Sequence, residues 1–336
     1  MTATAAWSRV GRRFAGLLSG LPASAEQRAQ AGAVGRLVAH GLRRALAAPG
    51  DGSDRGRAIL LGGYAKGTAP RFSAAVDVLL VLPAHLRPDF SAGPTALGRR
   101  RRRVIAPVAA VLGERHGGVR IDADGWLVVR PARGSTSAIP LVRLRPVFAC
   151  AEGGFLTPAP DGRQGPWRHL DPAAELANLE AADKATAGKA THLILMLKAW
   201  RRAQAVPIQP LALELLAAEF VRAWIYQTQS ALFYDWMVRD FFFWAAAQAG
   251  RPLPLPGTGE TLASGRAWRD AAEAAHVTAA LASDLERDNR EAEAAACWRH
   301  LFGAGLFAHK GAPSAAPSLP RRNTQGMTDC FGYASQ

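Results

Sequence analysis

The stretch Leu61-Gly62-Gly63-Tyr64-Ala65-Lys66-Gly67-Thr68-Ala69-Pro70, followed by Ser73-Ala74-Ala75-Val76-Asp77-Val78-Leu79-Leu80-Val81-Leu82-Pro83, constrains the fold more than any other. Val76–Leu82 is aliphatic and β-branched, as a buried strand requires, and Asp77 is its one charged residue. Arg57–Leu61 reads as a second strand that runs into the Gly62-Gly63 turn. Side chains alternate along a strand, so residue 75 shares a face with Asp77, and an alanine stands there. Backbone amides of a glycine-rich turn can cradle phosphate without a hydroxyl. Taken without its surroundings, the stretch also fits an ordinary buried strand after a glycine-rich turn.

The rest of the chain alternates between sheet and helix patterning and then becomes helical, which predicts an α+β fold in two lobes. Ala33, Val34, Leu37, Val38, Leu42 and Leu46 recur at helical spacing over residues 26–47, a long helix that braces the first lobe. A further helix is expected from about Thr95 to Gly113, with strands at Val119–Asp122, Trp126–Arg130 and Ile139–Leu144. Cys150–Pro172 is rich in Gly and Pro and reads as a long loop crossing between lobes. From Ala173 to about Phe307 the pattern is helical, broken by a linker at Gly250–Gly259. The expected division is an N-terminal segment 1–20, a core 21–172, a helical domain 173–310 and a mobile tail 311–336. Trp200, Trp224, Trp236, Trp244 and Phe241–Phe243 are expected in the helical core.

The chain has 336 residues, a net charge of +14 and a pI near 10.8, which points to polyanionic partners. Residues 1–112 hold 17 Lys and Arg against 5 Asp and Glu, so the excess falls on the first lobe. Alanine and arginine richness also fits a high-GC genome, which accounts for part of the charge but not for its asymmetry. Arg99, Arg100, Arg101, Arg102 and Arg103 form the densest block. Neighbours on a helix lie about 100° apart, so these five cannot share a side, and a solvated face competes with a phosphate-binding ridge for nucleic acid. Cys150, Cys297 and Cys330 have no paired spacing, and the histidines form no ligand cluster. No apolar run of 18 residues suggests a membrane span. Arg12-Arg13 with Ala23-Ser24-Ala25 mimics a twin-arginine signal, but Gly16 and Gly20 break the apolar run between them, so a signal peptide is not expected. A cytoplasmic location fits.

With these residues in hand, the chain resembles the cGAS/DncV-like nucleotidyltransferases (CD-NTases), the oligonucleotide cyclases of bacterial anti-phage CBASS operons. The resemblance rests first on the Gly62-Gly63 turn and the Asp77 strand. It continues through Ile139–Phe148, like the third active-site strand, and through Phe155-Leu156-Thr157-Pro158, Gly165-Pro166-Trp167-Arg168 and Asp171-Pro172. Leu195–Trp200, Leu213–Leu216, Tyr234–Phe242 and Trp298–Gly303 are similar to the helical signatures, so it covers about residues 20 to 308. It implies a two-lobed polymerase-β-like fold, an N-terminal mixed-sheet lobe braced by a long helix and a C-terminal helical (OAS-like) lobe.

The resemblance also implies a site, and this chain departs from it. Nucleotidyl transfer uses two divalent cations about 3.5–4 Å apart, held by carboxylates. Of three expected carboxylates only Asp77 remains; Ala75 and Arg143 occupy the other two positions. Gly63 stands where the turn has serine, and Pro210 stands in place of a serine in the second lobe. Lys198, implied to reach the triphosphate, is kept. Neither Asp122 nor Asp124 falls in register to replace Arg143. An arginine there either pairs with Asp77 and closes the site or holds phosphate itself, without metal.

Two functions follow. In the first, the chain binds NTPs or oligonucleotides through Gly62, Gly63, Lys198 and Arg143 within CBASS-type defence, with catalysis impaired and no cofactor required. In the alternative, it is an active cyclase making a cyclic or linear nucleotide messenger with Mg²⁺ or Mn²⁺ on Asp77. The resemblance further implies a CBASS effector or regulatory protein as partner, and the basic first lobe suggests nucleic acid.

Overall fold

A computed structural model describes residues 3–45, 57–73, 75–90, 96–113, 116–121, 127–131, 141–159 and 167–303. Asp122, Asp124, Ile139, Pro140, Gly165 and Pro166 and the tail lie outside them. The described residues fall into two compact units, a sheet unit within 23–174 and a helical unit made of the start of the chain with residues from 175 onward.

The chain opens with helix α1 (Ala3–Gly20), which belongs to the helical unit and stops before Pro22. The sheet unit begins with α2 (Ala25–Ala45). Ser24 and Gln27 form a reciprocal cap: the Gln27 amide donates to Ser24 Oγ at 3.1 Å and the Ser24 amide to Gln27 Oε1 at 2.9 Å. Gln27 Nε2 also donates to the carbonyl of Arg71 at 2.8 Å, tying the start of α2 to the loop after the glycine turn.

Strand β1 (Arg57–Leu61) leads directly into α3 (Gly62–Lys66), a single helical turn where the sequence suggested only a glycine turn. Next come β2 (Ala75–Val81), a 3₁₀ turn over Ala84–Phe90, α4 (Ala96–Arg100), a π-helical turn over Arg101–Ile105 and α5 (Ala106–Gly113). The expected helix Thr95–Gly113 is thus present but widened in its middle. β3 (His116–Ile121), β4 (Leu127–Pro131) and β5 (Leu141–Ala149) complete a sheet of order β1-β2-β5-β4-β3. Only β2 and β5 pair in parallel.

One face of this sheet is sealed by Ala31, Val38 and Leu42 of α2 with Val104 and Val108 beyond it, packed on Val76, Val78, Leu80, Leu127, Val129, Val142 and Leu144. The other face carries a smaller core of Ile59, Leu79, Val81 and Val147, against which Phe155 and Leu170 pack. Those last two belong to β6 (Phe155–Pro158) and β7 (Trp167–Leu170), a paired extension of β5. This corrects the reading of Cys150–Pro172 as a loop. Gly and Pro suppress the strand signal there, while register with β5 supplies the order.

The arginine block is partly engaged by the fold. Arg99 Nε and Arg103 Nη1 each lie 2.8 Å from a different oxygen of the buried Asp89. The guanidinium of Arg100 sits 4.7 Å over the Phe90 ring, which meets Phe148 edge-on at 5.4 Å. Arg102 is exposed, and the side chain of Arg101 is outside those described.

The helical unit continues with α6 (Pro172–Ala185), α7 (Lys189–Ala203), α8 (Pro210–Ala223) and α9 (Tyr234–Ala246). Pro210 occupies the first turn of α8, where a missing N–H costs nothing. α10 (Arg269–Arg287) and α11 (Glu291–Phe302) close the unit. Between α9 and α10 the expected linker holds a small ribbon, β8 (Pro252–Pro254) paired with β9 (Thr261–Ala263). α7 is buried along most of its length. Phe14 of α1 meets Trp298 and Tyr234 edge-on at 5.1 and 6.1 Å, and Trp200 packs on Phe242 at 4.8 Å. Trp200, Trp224, Phe241 and Phe242 are core; Phe243 is not, being 70% exposed. Neighbours 100° apart on one helix cannot all face inward.

Candidate functional site

The register of the sheet decides the chemistry of the site. Asp77 on β2 pairs with Leu61 on β1 and with Arg143 on β5. Facing residues on neighbouring strands project to the same side, so the Arg143 side chain meets the Asp77 carboxylate at once. Arg143 Nε donates to Asp77 Oδ1 at 2.6 Å and Nη2 to Oδ2 at 2.8 Å, a bidentate pair that engages both oxygens. The pair is reachable from solvent, with 41% of the Arg143 and 20% of the Asp77 side chain exposed. Ala75 sits two residues before Asp77, on the same face, opposite Leu141.

The glycines are fixed by geometry. Gly62 has φ +67°, and a Cβ there would stand 3.2 Å from Asp77 Oδ2. At Gly63 a Cβ would meet the Ala69 amide nitrogen at 2.9 Å. The chain folds back this tightly because the Gly63 carbonyl accepts from the amides of Gly67, Thr68 and Ala69, the last two at 2.8 and 2.9 Å. A serine at position 63 would therefore require the backbone of 68–69 to move.

Lys198 lies on α7 in the helical unit, where its Nζ is 2.6 Å from Glu214 Oε1 of α8. Glu214 is itself buried. The structure thus brings together Gly62, Gly63, Ala75, Asp77 and Arg143 within the sheet unit, and places Lys198 in the other. Arg99, Arg100 and Arg103 are engaged at Asp89 and Phe90.

The residues present do not fit a divalent cation. Ala75 offers a methyl group, Arg143 a fixed positive charge, and Asp77 has both oxygens engaged by that charge. Among the described residues no cluster of three or more His, Cys, Asp or Glu side chains could hold a metal ion. A guanidinium at a cation's position repels the cation and attracts phosphate.

No family profile and no curated protein matches the chain by sequence. Solved structures do match in three dimensions. CdnC of E. coli MS115-1, solved with ATP and also in a complex with HORMA-deltaN, superposes with TM-scores of 0.63 and 0.62 at 16% identity, covering 90% of this chain and 98% of that one. The Vibrio cholerae di-nucleotide cyclase DncV, in complex with GTP and 5MTHFGLU2, superposes with a TM-score of 0.65 at 12% identity over 89% of this chain and 94% of that one. The chain has the CD-NTase fold. A more distant example is the STING-associated CdnE c-di-GMP synthase of Capnocytophaga granulosa, with a TM-score of 0.53 at 10% identity over 84% of each chain.

Within the CD-NTase fold, Glu214 of α8 acts as the partner of Lys198 inside the helical unit. The motif spacing does not mark Arg120, Arg130 and Arg145. Their signal is the period-2 alternation of β3, β4 and β5, which puts them on the side of Arg143 once the register is fixed.

Proposed function

We propose that this chain binds a nucleotide or short oligonucleotide at the Gly62–Gly63 turn and the Asp77–Arg143 pair without a metal and without transferring it. One observation carries the reading: the bidentate contact of Arg143 with Asp77. A transfer site stabilises developing charge with cations it can load, and a guanidinium anchored on the only remaining carboxylate removes that means. The same guanidinium, held in place and still exposed, is pre-organised to meet a phosphate. Lys198, which the resemblance implies for the triphosphate, lies in the helical unit and is paired with Glu214. Likeness of fold to proteins solved with ATP and GTP supports the ligand class. The setting is bacterial anti-phage, CBASS-type defence in the cytoplasm. There the chain acts as a sensor, sponge or regulatory subunit, with an effector or a HORMA-like regulator as its protein partner.

Two measurements test this together. Calorimetric titration of ATP, GTP, CTP and UTP is run in EDTA and in excess Mg²⁺, and labelled NTPs are incubated with Mg²⁺ or Mn²⁺ and analysed for products. The expected result is binding of at least one NTP that EDTA leaves unchanged, with no phosphatase-resistant product. A product abolished by Asp77→Ala would establish the alternative, an active cyclase.

A further inference from the structure

The sheet register extends the charge of Arg143 sideways. Arg143 pairs with Val128 on β4, and Val128 pairs with Arg120 on β3, so Asp77, Arg143, Val128 and Arg120 form one row across four strands. Side chains in such a row share a face. Arg145 follows Arg143 by two residues on β5, and Arg130 follows Val128 by two on β4, so both lie on that face as well. Arg120 and Arg130 are exposed, and Arg145 is half-buried. The opposite face is packed by α2 and the residues around α5, and among the described residues of β1 to β5 the charged side chains lie on this side. Among the described residues of this face Asp77 is the only acid, and Arg143 already neutralises it.

We infer that this arginine row is a binding surface for a short single-stranded oligonucleotide, read through its phosphodiester backbone. The inference rests on the nucleotide-binding reading above and names its ligand. Neighbouring strands are about 4.8 Å apart, so the Cα atoms of Arg143 and Arg120 are about 10 Å apart across the row. Successive phosphates of a strand are a nucleoside apart, whereas those of a triphosphate share a bridging oxygen. Cations two strands apart can therefore each take a different phosphate of a strand. Arg130 and Arg145 widen the row by about 7 Å on either side, a patch that accommodates one backbone and not the two of a duplex. Phe155 packs on the smaller core further along this face, and no aromatic residue lies among Asp77, Arg143, Val128, Arg120, Arg130 and Arg145, so bases are not stacked on the arginines. Contacts of guanidinium to phosphate need no metal.

The test measures anisotropy of fluorescein-labelled uridine di-, tetra- and dodecanucleotides on the full chain in EDTA over a salt series, with ATP titrated in parallel. The tetranucleotide should bind more tightly than the dinucleotide, and the dodecanucleotide little more than the tetranucleotide. Arg120→Gln with Arg130→Gln should weaken tetranucleotide binding about tenfold or more, as expected when two charge-assisted contacts are lost. It should also reduce the magnitude of the log K against log salt slope by about 1.4, at about 0.7 per phosphate contact. ATP affinity should be unchanged. Arg120→Lys with Arg130→Lys keeps the charges and should keep the slope, which separates lost contacts from a lost fold.

A tetranucleotide no tighter than the dinucleotide, or unaffected by the Gln pair, overturns the inference. So does displacement of the strand at lower phosphate concentration by inorganic polyphosphate or by duplex RNA. If ATP binds wild type and the strand does not, this surface fails and the nucleotide reading stands. If the tetranucleotide binds with the expected slope and ATP does not, the mononucleotide reading fails and the strand surface stands.

Discussion

Lys198 donates to Glu214 across 2.6 Å from a position where only 10% of the lysine and 8% of the glutamate side chain is exposed. A buried pair of this kind is held as much by the cost of separating it as by its attraction. The charge that the resemblance implies for a ligand is thus also a strut between α7 and α8, and the two roles have separable consequences.

Lys198→Ala should destabilise the helical unit by about 3–5 kcal/mol, because Glu214 is left buried without its cation. Replacing both, Lys198→Met with Glu214→Leu, should recover most of that loss. Urea unfolding of the two singles and the double gives the coupling directly. NTP affinity that stays low in the stable double variant would assign Lys198 to the ligand as well as to the fold.

Arg143→Asp with Ala75→Asp puts three carboxylates on one face of β2 and β5. This variant should take up Mn²⁺, read as loss of the free-ion signal in electron paramagnetic resonance, where wild type takes up none. NTP binding in EDTA should weaken in the same variant, because the fixed guanidinium is gone. Binding of Mn²⁺ by wild type at Asp77 would contradict the pairing described here.

Gly62→Ala should cost about 1–2 kcal/mol from its left-handed backbone alone, before the close approach to Asp77 Oδ2 is counted. Gly63→Ser should cost a further about 1–3 kcal/mol, since its Cβ meets the backbone of Ala69 rather than a side chain that can turn away. Shifts in denaturation midpoint report both.

Asp89→Ala should destabilise the sheet unit by about 2 kcal/mol, releasing Arg99 and Arg103 together. Arg102→Ala, on the exposed side of the same block, should stay within about 0.5 kcal/mol. Equal effects of the two would return the block to a purely solvated ridge.

Two buried groups of the helical unit give opposite responses to acid. His192, whose Nδ1 lies 2.6 Å from the Tyr234 hydroxyl, is pushed down to about 4 by burial, with Asp183 opposing and Lys189 reinforcing. Its contribution is complete above its ordinary value of 6.5 and lost as pH falls from there towards 4, up to about 3 kcal/mol. Asp235 is pushed up to about 6 by burial, helped by Glu286 and opposed by the Trp236 amide and Arg239. Its contribution is complete below 3.8 and lost as pH rises through 6, again about 3 kcal/mol at most. Between pH 4 and 6 the two offset each other. Asp235→Asn should therefore make wild-type stability fall more steeply towards pH 4, and His192→Gln should reverse the slope, as read from melting temperatures across that range.

The order of elements was legible wherever hydrophobic period carried it: β1, β2 and α2 fall on periodic apolar positions. What stayed hidden depends on pairing. β6 and β7 are four-residue strands set in a Gly- and Pro-rich stretch, too short to show a period, and exist because β5 supplies a ladder. The fate of Arg99 and Arg103 turns on Asp89, ten or more residues away and unremarkable in the sequence. At the site, the residue types at 63, 75, 77 and 143 could be read directly. Whether Arg143 meets Asp77 could not, because it depends on a parallel register between strands 66 residues apart.

The tight loop behind Gly63 binds three positions into one constraint. With three amides converging on one carbonyl and no space beside the α-carbon, position 63 cannot take a hydroxyl side chain without disturbing 68–69. A carboxylate at position 143 would set like charge against Asp77, and one at position 75 gains nothing while the guanidinium remains. A single substitution towards a metal site is therefore opposed by the residues around it, and the site is built to use a fixed cation.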